Sequence, residues 1–449
     1  DASRELTPQM IERYMNEHRQ EEQHLSNLYD YYKGITAITK RRLADATKPN
    51  NKVVSPYAGY ITDTFTGYFM GEPIVYQCEK NEELLSRLNE LFNYNDEAAT
   101  DAELAKDASI FGVAYELLYM DENADIRFKK IDATKAIPIF DNTLEEDLLY
   151  FIRYYDDTDI MSGKKTTYVE VYSREWIRYY VDEYALKLVR EVPHAFKGVP
   201  INIYQNNEEE LGDFENVISL IDAYDKITSD SVNDMEYFAD CYLALYGMSG
   251  TEAEDIAAMK EQRVLLMETD AKAEWLTKSI NDTYVENLKN RLDAQIHKFS
   301  RCPSMTDENF AANASGVAIK YKLMGLENAT SKKERAFKKA LQRRIELICN
   351  IFGVMGSDYD YRDVQMVFTR NIPANLIEMA DVVNKIGNLL SKETQISLLP
   401  IDVNPEAELK RREEEETIAY DFEGEENGVD VVFNRDMLMN ESDIIDNCQ

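Results

Sequence analysis

VISLIDAYDKITSDSVNDMEYFADCYLAL, residues 217–245, is the stretch whose reading decides the architecture. Val217, Ile221, Tyr224, Thr228, Ser231, Met235, Phe238, Tyr242 and Leu245 are separated by alternating steps of four and three. That spacing is the seam of a heptad-like helix. Read to its end, it predicts a helix of roughly 30 residues, about 45 Å at 1.5 Å per residue. Positions off the seam are acidic: from Glu208 to Asp240 eleven acids stand against one base, Lys226, a net of −10. No helix of equal length is evident elsewhere as a partner, so the seam predicts packing against copies of the same chain. Heterologous packing that closes makes a ring, and a ring of such helices encloses a channel.

The rest of the composition narrows the class. At 449 residues, 44% hydrophobic and 11% aromatic, the chain can bury sizeable cores in two or three domain-sized units. A net charge of −34 argues against general attraction to nucleic acid or anionic membrane. The charge is uneven, however. From Tyr284 to Arg344 thirteen bases stand against six acids, a net of +7. No apolar run approaches a membrane span, and the start DASRELTPQM lacks a signal-peptide layout, so export is not expected. The five cysteines, Cys78, Cys241, Cys302, Cys349 and Cys448, are scattered, which fits a reducing cytoplasm rather than a disulfide framework or zinc site. The four histidines share no helical face and read as solvated or capping residues.

Outward from the seam, residues 7–33 read as a helix with Thr7 as N-cap, Pro8 at its first position and Gly34 at its end. Residues 51–76 run from a polar break into a helix rich in Tyr, Phe and Thr, stopped by Gly71 and Pro73, with a strand starting at Ile74. Two helices follow, Glu82 to Phe92 and Glu97 to Phe111. Between Val113 and Val192 short β-branched and aromatic segments alternate with turns, the pattern of an antiparallel sheet in meander order. After the seam come an irregular segment, Gly247 to Asp282, and a second helix from Tyr284 to Ser300 with Leu288, Leu292 and Ile296 at i+4 spacing. The loop CPSMTDENFAANAS precedes a long helical pattern, Ser315 to Phe352, with a kink expected between Gly325 and the polar NATS at 328–331. A β-like VQMVF, two small helices with Ser391 as a cap, a charged helix end at 410–417 and an acidic tail that reads as disordered complete the chain. The fold class is α+β.

Catalytic signatures are missing. There is no P-loop, dinucleotide fingerprint, zinc-protease helix, nucleophile elbow or EF-hand loop. The remaining enzyme reading is a metal-dependent nucleic-acid enzyme using Asp307 and Glu308; adjacent loop carboxylates flanked by lysines are more often solvated. A channel lined by acidic helices would hold DNA loosely, because phosphates find few cations and little counterion release. Loops with polar and aromatic tips then touch the backbone without reading sequence.

Several blocks in order carry a resemblance: YYKG (31–34), DTFTGYFMGEPIVY (63–76), FGVAYELLY (111–119), ISLIDAYDKITSDSVNDMEYF (218–238), CPSMTDENFAANASGVAIKYKLMGLE (302–327) and FTRNIPANLIEMA (368–380). Over roughly residues 28–417 the chain resembles the portal proteins of tailed double-stranded-DNA bacteriophages, in the long non-contractile-tail branch. The resemblance implies a portal fold: wing at 1–206 and 353–385, stem helices at 207–246 and 284–303, clip at 247–283, tunnel loop at 304–314, long kinked helix at 315–352 and helical crown at 386–417. The tail, 418–449, matches no part of that pattern. The resemblance also implies a dodecameric homo-oligomeric ring at one head vertex, in the virion and, during assembly, in the host cytoplasm. Its partners would be the terminase large subunit, a head-completion adaptor, capsid and scaffolding proteins, and double-stranded DNA in the channel, with no membrane, cofactor, metal or catalytic residue. Ser304, Met305, Thr306, Asp307, Glu308, Asn309, Phe310, Ala311 and Asn313 then fall in the tunnel loop, with Phe310 against DNA or a neighbouring subunit. Lys298, Arg301, Lys320 and Lys322 are candidate DNA-facing bases, and Arg263, Leu265 and Trp275 candidate clip contacts for docking partners.

Overall fold

Helix α1, Pro8–Tyr32, begins where its cap chemistry places it: Thr7 is extended and its hydroxyl accepts the Met10 amide at 3.4 Å. Gly34, at φ +78, turns the chain away after it. The computed structural model describes residues 5–182, 185–238, 242–247, 272–276, 282–305, 316–372 and 408–412, with shorter stretches within 252–261 and 383–397. It comprises two units, up to Asn371 and from Ile372. In the second, helix Lys392–Ser397 is capped by Ser391, whose hydroxyl accepts the Thr394 amide at 3.2 Å.

The first unit is a mixed α+β body whose sheets, among the described residues, are all antiparallel. The single meander expected from Val113 to Val192 is two sheets. Strands β4 (Ala136–Phe140), β5 (Leu148–Thr158), β6 (Lys165–Tyr172), β7 (Trp176–Asp182) and β8 (Leu186–Pro193) do form a meander. Strand β2 (Val113–Met120) instead sits at the centre of a separate three-stranded sheet, between β3 (Ile126–Ile131) and β9 (Ile201–Gln205). The strand β9, absent from the sequence reading, pairs Val113 with Gln205 and Leu117 with Ile201. At the mouth of β2, Gly112 has φ +82, and a Cβ there would lie 1.8 Å from the Glu210 carbonyl oxygen. Only glycine fits that turn.

Among the described residues, two apolar cores organise the body. Leu6 and Ile11 pack with Ile137, Ile152, Val169, Val171 and Leu186 on the meander. The larger core joins α2 (Tyr57–Met70), α3 (Glu82–Asn95), α4 (Glu97–Phe111) and the three-stranded sheet around the long helix. Phe69, Leu88, Leu104, Leu118 and Phe128 meet Phe337, Leu341, Ile345 and Ile348 there. Each such side chain contributes about 1.5–3 kcal/mol by leaving water. Strand β1 (Val75–Gln77) pairs with β12 (Gln365–Val367), tying the chain beyond the long helix back to its beginning.

The long helix, Gly316–Val354, is one 39-residue element that continues through both Gly325 and the NATS segment, the stretch where a kink is expected. Its middle is fastened by Glu327. That carboxylate accepts both forks of Arg370 (2.9 and 3.1 Å), the Tyr68 hydroxyl (2.7 Å) and the Ser331 hydroxyl (2.9 Å). Burial alone would raise Glu327; these donors outweigh it and hold the carboxyl below its usual range. Toward its C-terminus the helix buries charge. Lys333, 2% exposed, donates to Asp213 at 2.6 Å. Arg344, fully buried, contacts Glu116 at 2.7 Å, Glu97 at 3.4 Å and Asp101. The cationic stretch is therefore not a uniform solvated face: Lys332, Arg335 and Lys339 are exposed, while Lys333 and Arg344 are core residues.

Candidate functional site

The seam helix is shorter than its spacing predicts. A 3-10 turn, Glu215–Val217, leads into α5, Ile218–Phe238, and Tyr242–Tyr246 is a strand, β10. This β10 pairs antiparallel with β11, Lys272–Leu276, placing Leu243 opposite Trp275 and Tyr246 opposite Lys272. The next helix, α6 (Asp282–Ser300), packs on α5. The chain thus leaves along α5 and β10 and returns along β11 and α6. The stem helix expected to run to 246 is corrected, since Tyr242–Tyr246 is strand. The premise that α5 lacks an intrachain partner is corrected too, because α6 is that partner.

The buried face of α5 also differs from the seam. Val217 and Ile221 are fully buried, but the next buried positions are Asp225 and Ser229, while Met235 on the seam is 71% exposed. A strap formed by residues 36–55 lies over these polar groups. Thr36 donates to Asp225 at 2.6 Å, the Ser55 amide donates to its other oxygen at 2.8 Å, and the Val53 amide donates to Ser229 at 2.9 Å. Further along, Arg41 pairs with Asp230 at 2.6 Å, and before the strap Tyr31 donates to Asp222 at 2.7 Å. Burial pushes the Asp225 carboxyl up, partly offset by the Thr36 and Ser55 hydrogen bonds. Much of the acidity of α5 is therefore spent holding the helix to the body.

The end of α6 is held by α2. Tyr57 donates to Asp293 at 2.6 Å, and His297, edge-on to both Tyr57 and Tyr60, has Nδ1 3.0 Å from the Cys302 carbonyl. A carbonyl only accepts, so that nitrogen carries the proton. Tyr60 does two jobs: its hydroxyl donates to the Pro303 carbonyl at 3.0 Å and accepts the Met305 amide at 3.0 Å. Cys302 is fully buried, and burial pushes its thiol up to about 12. Arg301 takes φ +63, a helix-ending conformation that costs a non-glycine residue. A Cβ at Gly325 would lie 3.9 Å from the Arg301 Cβ, so the long helix runs beside this turn.

Of the sequence-predicted loop residues, Ser304 and Met305 are placed at this root, Met305 partly exposed; Thr306, Asp307, Glu308, Asn309, Phe310, Ala311 and Asn313 lie outside the described residues. So do Arg263 and Leu265, and Trp275 is described only as a β11 position. Lys298 near the end of α6, Arg301 just after it, and Lys320 and Lys322 on the long helix are all exposed. Lys298 lies 5.8 Å from the Phe299 ring centre. Among the described residues, no ion pair engages Lys298, Arg301 or Lys320, no cluster of acids, histidines and cysteines could hold a metal, and no helix is long and apolar enough to cross a membrane. Tyr57, Tyr60 and His297 were missed as root residues. Their signal is the Tyr-rich, small-residue run of α2, which reads from sequence only as core.

Comparison with known proteins places this arrangement. Residues 11–419 match the family model described as phage portal protein, SPP1 Gp6-like. The portal protein of Bacillus phage SPP1 is 26% identical over 436 residues, covering 90% of this chain and 86% of that protein. The portal protein of Clostridium phage phiCD119 is 24% identical over 382 residues, covering 80% and 83%.

Proposed function

The chain belongs to the phage portal protein family, and from that premise we propose that it forms a closed homo-oligomeric ring, a dodecamer, at one vertex of a phage head. In this reading the ring is a conduit through which a terminase motor drives double-stranded DNA, and it later carries the head-completion adaptor and tail. Helices α5 and α6 are the stem, the β10–β11 segment belongs to the clip, the body is the wing, and residues 304–314 reach the channel. The protein acts structurally, with no catalytic step.

The observation that carries the reading is the root at Pro303–Met305. A loop is fixed to the body at the end of one stem helix by Tyr60, and around it Lys298 on that helix, Arg301 just after it and Lys320 on the long helix stay exposed without carboxylate partners among the described residues. Exposed cations without partners are suited to phosphate contact that is sequence-independent and weakened by salt. Native mass measurement tests the assembly: a species many times the 51.9 kDa chain is expected, and a stable monomer at micromolar concentration contradicts it. DNA incubated with Mg²⁺ or Mn²⁺ should stay intact; cleavage would favour a metal-dependent enzyme using Asp307 and Glu308. Heads assembled with Ala311→Trp should package slowly or incompletely, since the bulk repeats in every copy; normal packaging would remove the loop from the constriction.

A further inference from the structure

The cluster around Arg344 is short of positive charge. One guanidinium faces three carboxyl groups, Glu97 and Asp101 from α4 and Glu116 from β2, and all four residues are at most 7% exposed. The other groups turned toward them are neutral donors or rings: Tyr76 of β1 on Glu97, Tyr204 and Asn202 of β9 on Glu116, and the Phe128 ring of β3, 4.6 Å from the guanidinium. Lys130 of β3 is taken by Glu103 and Asp107. Three ionised carboxylates would leave two uncompensated negative charges in a low-dielectric core. Proteins avoid that by keeping a proton.

The hydrogen bonds say which group keeps it. Glu116 accepts from Arg344 Nη2 at 2.7 Å, Arg344 Nε at 3.0 Å, Asn202 at 2.8 Å and Tyr204 at 2.9 Å, a set that suits a full anion. Glu97 accepts from Tyr76 and Arg344. Asp101 receives Arg344 on Oδ1 only, and its Oδ2 is buried with no hydrogen-bond partner. An oxygen with no donor to accept from is satisfied by becoming a donor, and Glu97, one helical turn earlier, is an acceptor within reach.

We propose that Asp101 is the neutral member of the cluster, holding on Oδ2 a proton shared with Glu97, so that the body core is a proton-binding site filled on folding. The proton comes from water, and no other bond changes. Burial pushes the Asp101 carboxyl up to about 8, against the pull of Arg344 and aided by Glu97.

Infrared spectroscopy of the assembled wild-type protein tests this. A protonated-carboxyl carbonyl band is expected near neutral pH, half lost as pH rises through about 8. It should shift when aspartate is labelled with ¹³C at its side-chain carboxyl, and it should vanish in Asp101→Asn. The raised carboxyls of Asp107 and Asp225 are separated by that variant. If Asp101→Asn does not fold, the labelled wild type decides alone. No acid band at neutral pH, a band that ignores the aspartate label, or one that persists in folded Asp101→Asn overturns the proposal.

Discussion

Two ends of one cationic stretch use the same residue types in opposite ways. Arg344 lies fully buried among carboxyl groups of α4 and β2. Arg301 lies exposed at the end of α6 without an ion pair among the described residues. In the core, the cost of removing a guanidinium from water is offset only by close, multiple partners, so removing it strands the partners. At the loop root the cation is exposed and keeps its water. A positive window in a sequence is thus not one property: part of it is buried and holds the body together, and part stays at the surface.

The largest effect is expected at Arg344. Arg344→Met should cost about 3–5 kcal/mol by leaving three carboxyl groups without their cation. Urea unfolding would measure it, and a loss under about 1 kcal/mol would show that the cluster is not structural. The pH response comes next. The folded Asp101 carboxyl lies near 8, above its ordinary 3.8. Its stabilising contribution is therefore complete below the ordinary value, fades as pH rises toward about 8, and changes no further above it. Unfolding curves across that range should favour Asp101→Asn progressively over wild type as pH increases; parallel curves would contradict this.

Smaller effects sharpen the other side. Tyr60→Phe removes the hydroxyl that both Pro303 and Met305 use, a loss of about 0.5–1.5 kcal/mol. Protease cleavage near residue 305 should rise in this variant, and unchanged cleavage would mean that the root is held by other contacts. Lys298→Gln and Arg301→Gln should alter unfolding free energy by no more than about 0.5 kcal/mol, as exposed substitutions do. A larger loss in chemical denaturation would assign these bases a structural role.

Local chemistry made parts of this fold legible. Thr7 and Pro8 announce α1, and the alternating strands from Leu148 to Val192 announce the meander. What the sequence hid depends on distant partners. YLALY at 242–246 fits the four-three seam at Tyr242 and Leu245 and is also a short apolar run that a strand can use; pairing with Lys272–Leu276 settles it as strand. Nothing near β2 reveals that its second neighbour is β9, more than 80 residues on. Arg344 reads as one more cation because Glu97, Asp101 and Glu116 lie over 200 residues earlier. Asp225 and Ser229 read as solvated until the strap covers them. Of the candidate site, the exposed bases were legible as charge, and Tyr60 was not, because its role appears only where α2 meets the end of α6.

These exposed bases are proposed to stand beside moving DNA. The test is to assemble heads with the triple variant Lys298→Gln, Arg301→Gln, Lys320→Gln and compare their packaging rate with wild type across a salt series. Rings of normal mass are expected, with a packaging rate that differs from wild type at low salt and converges with it at high salt. Packaging identical to wild type at every salt concentration would contradict it.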